Sequence, residues 1–161
     1  MVIELKLEEQ SINKAIAELQ EYINEIEKKV NRATKELAEL GERTAKQNVA
    51  VETGALASSI HVNGSNGEYE IVCNGRTTHP HAAFVEFGTG VVGASNSYPY
   101  SFPEGVSWAY DVNGHGKDGW TYIGQDSQQH WTMGMPARPF MAPAASTMRS
   151  NVLSVYRKAF K

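Results

Sequence analysis

The residues able to do chemistry are few, and most of them stand alone. His79-Pro80-His81 sets two imidazoles two positions apart, with Glu86 five positions further on and His115 and His130 more distant. Two histidines and a carboxylate can begin a metal site, so a metal-dependent enzyme using His79, His81 and Glu86 is one reading of the chain. No cysteine pair and no HExxH spacing accompanies them, and Pro80 imposes a loop. Solvated loop histidines ahead of a strand are the plainer reading. The single cysteine, Cys73, excludes an internal disulfide and fits a reducing compartment. As a nucleophile it would need a base and a lowered pKa. It falls in the strand-like run Tyr69–Cys73, where a small buried hydrophobe is the commoner role.

Glu104, Asp118 and Asp126 are irregularly spaced and mark no acid–base pair. Gly114-His115-Gly116-Lys117-Asp118-Gly119 lacks the second half of a phosphate loop and the helix that should follow it, and reads as a flexible turn. No nucleophile elbow or dinucleotide fingerprint is present. The residues therefore imply no cofactor and no catalytic group.

The elements around these residues are easier to read. Ile12, Ile16, Leu19, Ile23, Ile26, Val30, Ala33, Leu37 and Leu40 recur at steps of four and three. This spacing predicts one stripe on a long amphipathic helix from about 9 to 50, with Gly41 as the natural place for a kink or break. Glu25/Lys29, Arg32/Glu36, Lys35/Glu39 and Glu42/Lys46 place opposite charges four apart on the other side. The stripe can lie on the domain's own sheet. It can also partly self-associate, because β-branched Ile16, Ile23 and Val30 share one heptad position and Leu19 and Ile26 the other. Ahead of it, residues 2–7 alternate as a short first strand.

After the helix, Ile60–Val62 and Tyr69–Cys73 flank Asn63-Gly64-Ser65-Asn66-Gly67, which predicts a hairpin. Phe84-Val85-Glu86-Phe87 reads as a strand closed by Gly88-Thr89-Gly90. Residues 91–119 form a long loop without clear period, and short strands return at Trp120–Ile123 and His130–Met133. A last helix spans about 142–159. The aromatics from Tyr98 to Trp131 either present a protein-contact surface or form a small core of their own. Helix, strands, helix indicates an α+β fold: a long N-terminal helix and a C-terminal helix on a small antiparallel or mixed sheet at about 60–135, in one domain over 1–161.

Composition narrows the classes further. With 41% apolar and 20% charged residues, the chain is too apolar to be disordered. A net charge of −3 argues against a protein held to nucleic acid by its overall field. The longest apolar runs, such as Ala82-Ala83-Phe84-Val85, are far short of a membrane span, and the first residues carry no secretory pattern. Synthesis and assembly in the cytoplasm are expected.

Three segments taken together resemble a known family. They are Thr53-Gly54-Ala55-Leu56 followed by Ser59-Ile60, then Phe84-Val85-Glu86-Phe87-Gly88-Thr89-Gly90, then Pro136-Ala137-Arg138-Pro139-Phe140-Met141 with Pro143-Ala144. Their order is similar to that of the small neck or tail-completion proteins of long-tailed phages, the family typified by gene product ten of a lambdoid phage. The resemblance covers roughly 35–160. Glu52 stands where the family usually has Asp, and the long 91–130 loop carries nothing over from it.

The resemblance implies a non-enzymatic virion subunit. Such a subunit would form a homo-oligomeric ring between head and tail, with head-closure, tail-terminator or tail-tube proteins as partners and no membrane. A tail terminator or minor tail protein is the alternative. The implied structural-motif or interface residues are Thr53, Gly54, Leu56, Glu86, Phe87, Gly88, Thr89, Gly90, Arg138, Pro139 and Phe140. Glu86 and Arg138, opposite charges in otherwise apolar or turn-forming motifs, are expected to pair within a subunit or across a boundary. The alternative is two independent solvated charges.

Overall fold

The computed structural model describes residues 8–49, 54–73, 81–113, 115–124 and 126–161. The expected first strand at 2–7, together with Thr53 and His79, lies outside them.

Helix α1 runs from Glu9 to Asn48 without interruption, about 60 Å at 1.5 Å per residue. Three of the four expected charge pairs form along it: Lys29–Glu25 at 3.3 Å, Lys35–Glu39 at 3.9 Å and Lys46–Glu42 at 2.5 Å. Arg32 and Glu36 turn instead to the last helix, α6 (Met141–Ala159), where Arg32 donates to the Ala159 carbonyl at 3.3 Å and Glu36 pairs with Lys158 at 2.8 Å. Gly41 does not break the helix. It is buried where α1 meets its neighbours, and a Cβ there would land on the ends of Ile71 and Met148. The glycine serves close packing at the expense of helix propensity.

The C-terminal half of α1 is the wall on which the other elements assemble. Its buried positions there are mostly small, Ala33, Ala38, Gly41 and Ala45 with Leu37. Helix α6 lies along this wall, with Val155 and Ala159 against Ala33 and Leu37, and the Tyr156 hydroxyl lies 2.8 Å from Thr34 Oγ1.

On the wall also rests the hairpin of β1 (Ile60–Ser65) and β2 (Glu68–Cys73), entered through the short helix α2 (Ala55–Ser59). Its turn is tighter than the predicted five-residue loop. Ser65 pairs with Glu68 across Asn66-Gly67, whose φ values of 54° and 88° suit the twist of a two-residue hairpin turn. Asn31 of α1 pins the tip by accepting from the Gly67 amide at 2.9 Å and the Tyr69 hydroxyl at 2.7 Å.

The α+β class stands, with local corrections. The segment expected as a strand at 84–87 is a helix, α3 (His81–Phe87). A strand would set Val85 and Glu86 on opposite faces, whereas the helix turns Val85 with Ala82 into the core and Phe84 with Phe87 toward aromatics. The expected 91–119 loop contains two short helices, α4 (Gly90–Ser95) and α5 (His115–Asp118), the second within the predicted flexible turn. Strands β3 (Trp120–Ile123) and β4 (Gln129–Thr132) pair with each other and not with β1–β2, so among the described residues there are two two-stranded sheets in place of one. The main core joins Ala45, Val49, Ile60, Phe140 and Ala144, with Leu56, Ala57, Ile71, Cys73, Ala82, Val85 and Met141 packed around them.

Candidate functional site around Glu86

An α-helix begins with backbone N–H groups that have no partner in the preceding turn. Helix α6 starts at Met141 after Phe140, and its own capping residue supplies no side-chain acceptor. The acceptor comes from α3. Glu86 Oε2 accepts from the amides of Phe140 at 2.7 Å and Met141 at 2.9 Å, and Oε1 from that of Ala142 at 3.1 Å. The next residue, Pro143, has no N–H to satisfy. The leading amides of α6 are thus all accounted for by one carboxylate and one proline. The Tyr98 hydroxyl adds a fourth bond to Oε1 at 3.2 Å.

Glu86 is 5% exposed, so this is a buried acceptor engaged on both oxygens. A carboxylate accepts without donating, and its charge is favourable at a helix N-terminus. Burial first, then the negative charge of Glu86 and the bond donated to it, push the Tyr98 hydroxyl up to about 12.

The flanking glycines make the approach possible. Gly88 ends α3 in the left-handed region (φ 82°), its amide donating to Phe84 O at 2.8 Å. A Cβ on Gly88 would meet Ala137 N at 2.7 Å and Met135 O at 2.9 Å. Thr89 and Gly90 then form antiparallel bridges with Met135 and Gly134, and Thr89 Oγ1 accepts from Met135 N at 3.2 Å. Three residues further along the second segment, the Arg138 amide donates to Val85 O at 2.8 Å. The two segments are laced together by backbone, and Pro139 leads the extended chain into the buried Phe140.

The structure brings most of the sequence-predicted residues to this junction. Leu56 and Phe140 share the main core, and Glu86, Gly88, Thr89 and Gly90 connect it to the 134–142 segment. Gly54 precedes α2 at φ 73°. Phe87 sits among Tyr98, Phe102 and Trp108 at centroid distances of 4.9, 5.5 and 5.1 Å. Trp108 also donates to Gly88 O at 2.9 Å, and the Tyr98 amide to the Tyr110 hydroxyl at 3.0 Å. This part of the long loop folds into a small aromatic core of its own. On β3–β4, by contrast, Tyr122, Ile123 and Trp131 are exposed.

The expected Glu86–Arg138 pair is not formed within the chain. Arg138 is exposed, and the Glu86 oxygens are held by backbone and phenol donors. Sequence reasoning looked for a charged partner and missed the helix terminus. The signal available was Pro143, three residues after the buried Phe140.

The same bonds weaken the metal reading, because they take the carboxylate that His81 would need. Among the described residues no group of three or more His, Cys, Asp or Glu could hold a metal ion. His130 instead bonds Asp126 at 3.0 Å on the exposed β3–β4 hairpin, and this bond, before the Gln128 amide, holds the Asp126 carboxyl below its ordinary range. Cys73 lies at the edge of the core, 3.5 Å from Ser59 Oγ.

Helix α1, the hairpin and α3 up to Gly88 coincide with a family signature. Residues 13–88 match the family described as "Bacteriophage HK97-gp10, putative tail-component". That agrees with the resemblance carried by the motifs, with different bounds. The match starts well before residue 35 and stops at Gly88, so the Arg138-Pro139-Phe140 segment lies beyond it. No curated protein and no solved structure gives a match. Among the described residues no helix is long and apolar enough to cross a membrane.

Two outcomes are expected. Glu86→Ala orphans one buried and two part-buried amides and should lower unfolding free energy by about 3 kcal/mol, whereas Arg138→Ala should change it by less than about 0.5 kcal/mol. Denaturant titration of both variants checks this, and equal losses would restore the charge pair. The second concerns alkaline pH. Above the ordinary value of 10.0 an unfolded chain releases the Tyr98 proton while the folded chain keeps it to about 12. The contribution of Tyr98 is therefore complete below pH 10 and is lost as pH rises through about 12. Ultraviolet titration should show a tyrosine step near 12 that vanishes in Tyr98→Phe, and no such step would contradict the burial of this phenol beside Glu86.

Proposed function

We propose that the protein is a structural subunit of a tailed phage or prophage particle, acting in head–tail joining or tail completion as a ring-forming neck subunit. The observation that carries this reading is the match of residues 13–88 to a phage tail-component family, a stretch ending on the segment that holds Glu86. The architecture supports it. Glu86, Phe87, Gly88, Thr89 and Gly90 with Pro139 and Phe140 form the rigid joint, Gly54 and Leu56 the entry to the hairpin, and exposed Arg138 is available to a neighbour; Thr53 belongs to the same motif by sequence. Trp131, Tyr122 and Ile123 on β3–β4 offer apolar surface of the kind that subunit contacts bury. The proposed partners are copies of itself and head-closure, tail-terminator or tail-tube subunits. The role is non-enzymatic, without cofactor, specific nucleic-acid binding or membrane.

Ring subunits meet through two different surfaces, head to tail, and closure requires a fixed rotation per subunit. A junction locked by a buried carboxylate supplies that rigidity. A tail terminator or minor tail protein is the nearest alternative. Deleting the gene in its phage and imaging the lysate by electron microscopy separates the roles. The neck role predicts filled heads and finished tails that fail to join, whereas overlong tails would favour a terminator. Joined particles in normal numbers would contradict the proposal.

A further inference from the structure

The apolar stripe of α1 has two fates. From Ala33 onward it is covered by α6. Near the start of the covered part stand Lys29, whose ammonium lies 6.0 Å from the centre of the Phe160 ring, and Asn31, which holds the hairpin tip; further back Ala15, beside the stripe, is also buried. Ahead of that point the stripe continues in the same register but is open. Ile12, Ile16, Leu19 and Ile23 are 40–59% exposed. The covered seam and the open one are a single line of residues on one unbroken helix.

We infer that this N-terminal half of α1 is a docking surface for the same stripe on a second copy of the chain. Its spacing carries the argument. Steps of four and three keep Ile12, Ile16, Leu19, Ile23, Ile26 and Val30 on a 3.5-residue repeat, which suits a second helix wound alongside better than a flat protein surface. β-branched Ile16, Ile23 and Val30 occupy one seam position and Ile12, Leu19 and Ile26 the other, so both positions of the repeat are apolar throughout.

The flanks permit a like partner. Asn13, Gln20 and Tyr22 border the seam without charge, so two copies bring no like charges together along most of its length. Glu27 and Lys29 are the charged residues that border the seam, at its far end; Lys29 pairs with Glu25 at 3.3 Å, and further from the seam Lys14 pairs with Glu18 at 3.8 Å. The seam spans about 27 Å from Ile12 to Val30, exposed as far as Ile23 and half-buried at Ile26 and Val30. That is under three heptads, enough for a concentration-dependent pair and too little for a permanent one. The contact uses the same patch twice and is distinct from head-to-tail ring contacts, so it stands whether or not the neck reading holds.

Sedimentation velocity of the full chain from micromolar to millimolar concentration tests the inference. The wild type should associate progressively. Ile16→Glu with Ile23→Glu should weaken association by about a hundred-fold or more. Both positions are exposed, so the variant should keep its helicity and melting temperature. Ile16→Leu with Ile23→Leu, which keeps an apolar seam, should associate nearly as the wild type does. A wild type that stays monomeric throughout, or association unchanged by the glutamates, would overturn the inference.

Discussion

The carboxylate of Glu86 sits where two distant parts of the chain must agree. It belongs to α3, yet three of its four bonds go to the first amides of α6, as far as 56 residues away. Burying a carboxylate carries a heavy desolvation cost, tolerable only where donors already point at it. A helix N-terminus supplies them as geometry and field together. Several neighbouring features follow from that constraint. Gly88 is needed because a side chain there would strike the backbone at Ala137 and Met135. The bridges from Thr89 and Gly90 to Met135 and Gly134 hold the incoming strand, and Phe140 fills the core beside the carboxylate. Tyr98 closes the remaining side and ties the aromatic loop to the joint.

Around that joint the molecule divides along α1. The C-terminal half of the helix is built into the body through alanines and a glycine that let α6 and the hairpin approach closely. The N-terminal half keeps the same apolar repeat and leaves it in solvent. Helix stability in proteins comes mostly from packing an amphipathic face, and among the described residues no element is seen to cover Ile12, Ile16, Leu19 and Ile23. The exposed hairpin of β3 and β4 poses a similar case, because an isolated two-stranded ribbon is marginal in water. Both features are exposed apolar surfaces of the kind that partner contacts bury.

Much of this was legible in the sequence. The stripe of α1 is long enough that its period is unambiguous, and Asn66-Gly67 marks the hairpin turn by its tolerance of positive φ. The motif segments around Gly54, Glu86 and Arg138 pointed to the tail-component family that residues 13–88 match. Short elements were not legible. Phe84-Val85-Glu86-Phe87 is a four-residue apolar run, and periodicity cannot separate a strand from one turn of helix at that length. The role of Glu86 was hidden for a different reason. Charge complementarity between side chains can be seen in a sequence, whereas the partner here is backbone, exposed only once α6 has formed. The division into two sheets was equally out of reach, because pairing depends on where the hairpins land on α1.

The most direct test of this account is amide hydrogen exchange at Phe140, Met141 and Ala142, followed by NMR under native conditions. Amides in the first turn of a helix normally exchange fast, since nothing within the helix protects them. Bonds to a buried Glu86 predict that these three exchange only through global unfolding, as slowly as core amides such as that of Ile60. Fast exchange at all three, alongside a protected core, would contradict the claim that this carboxylate holds the fold together.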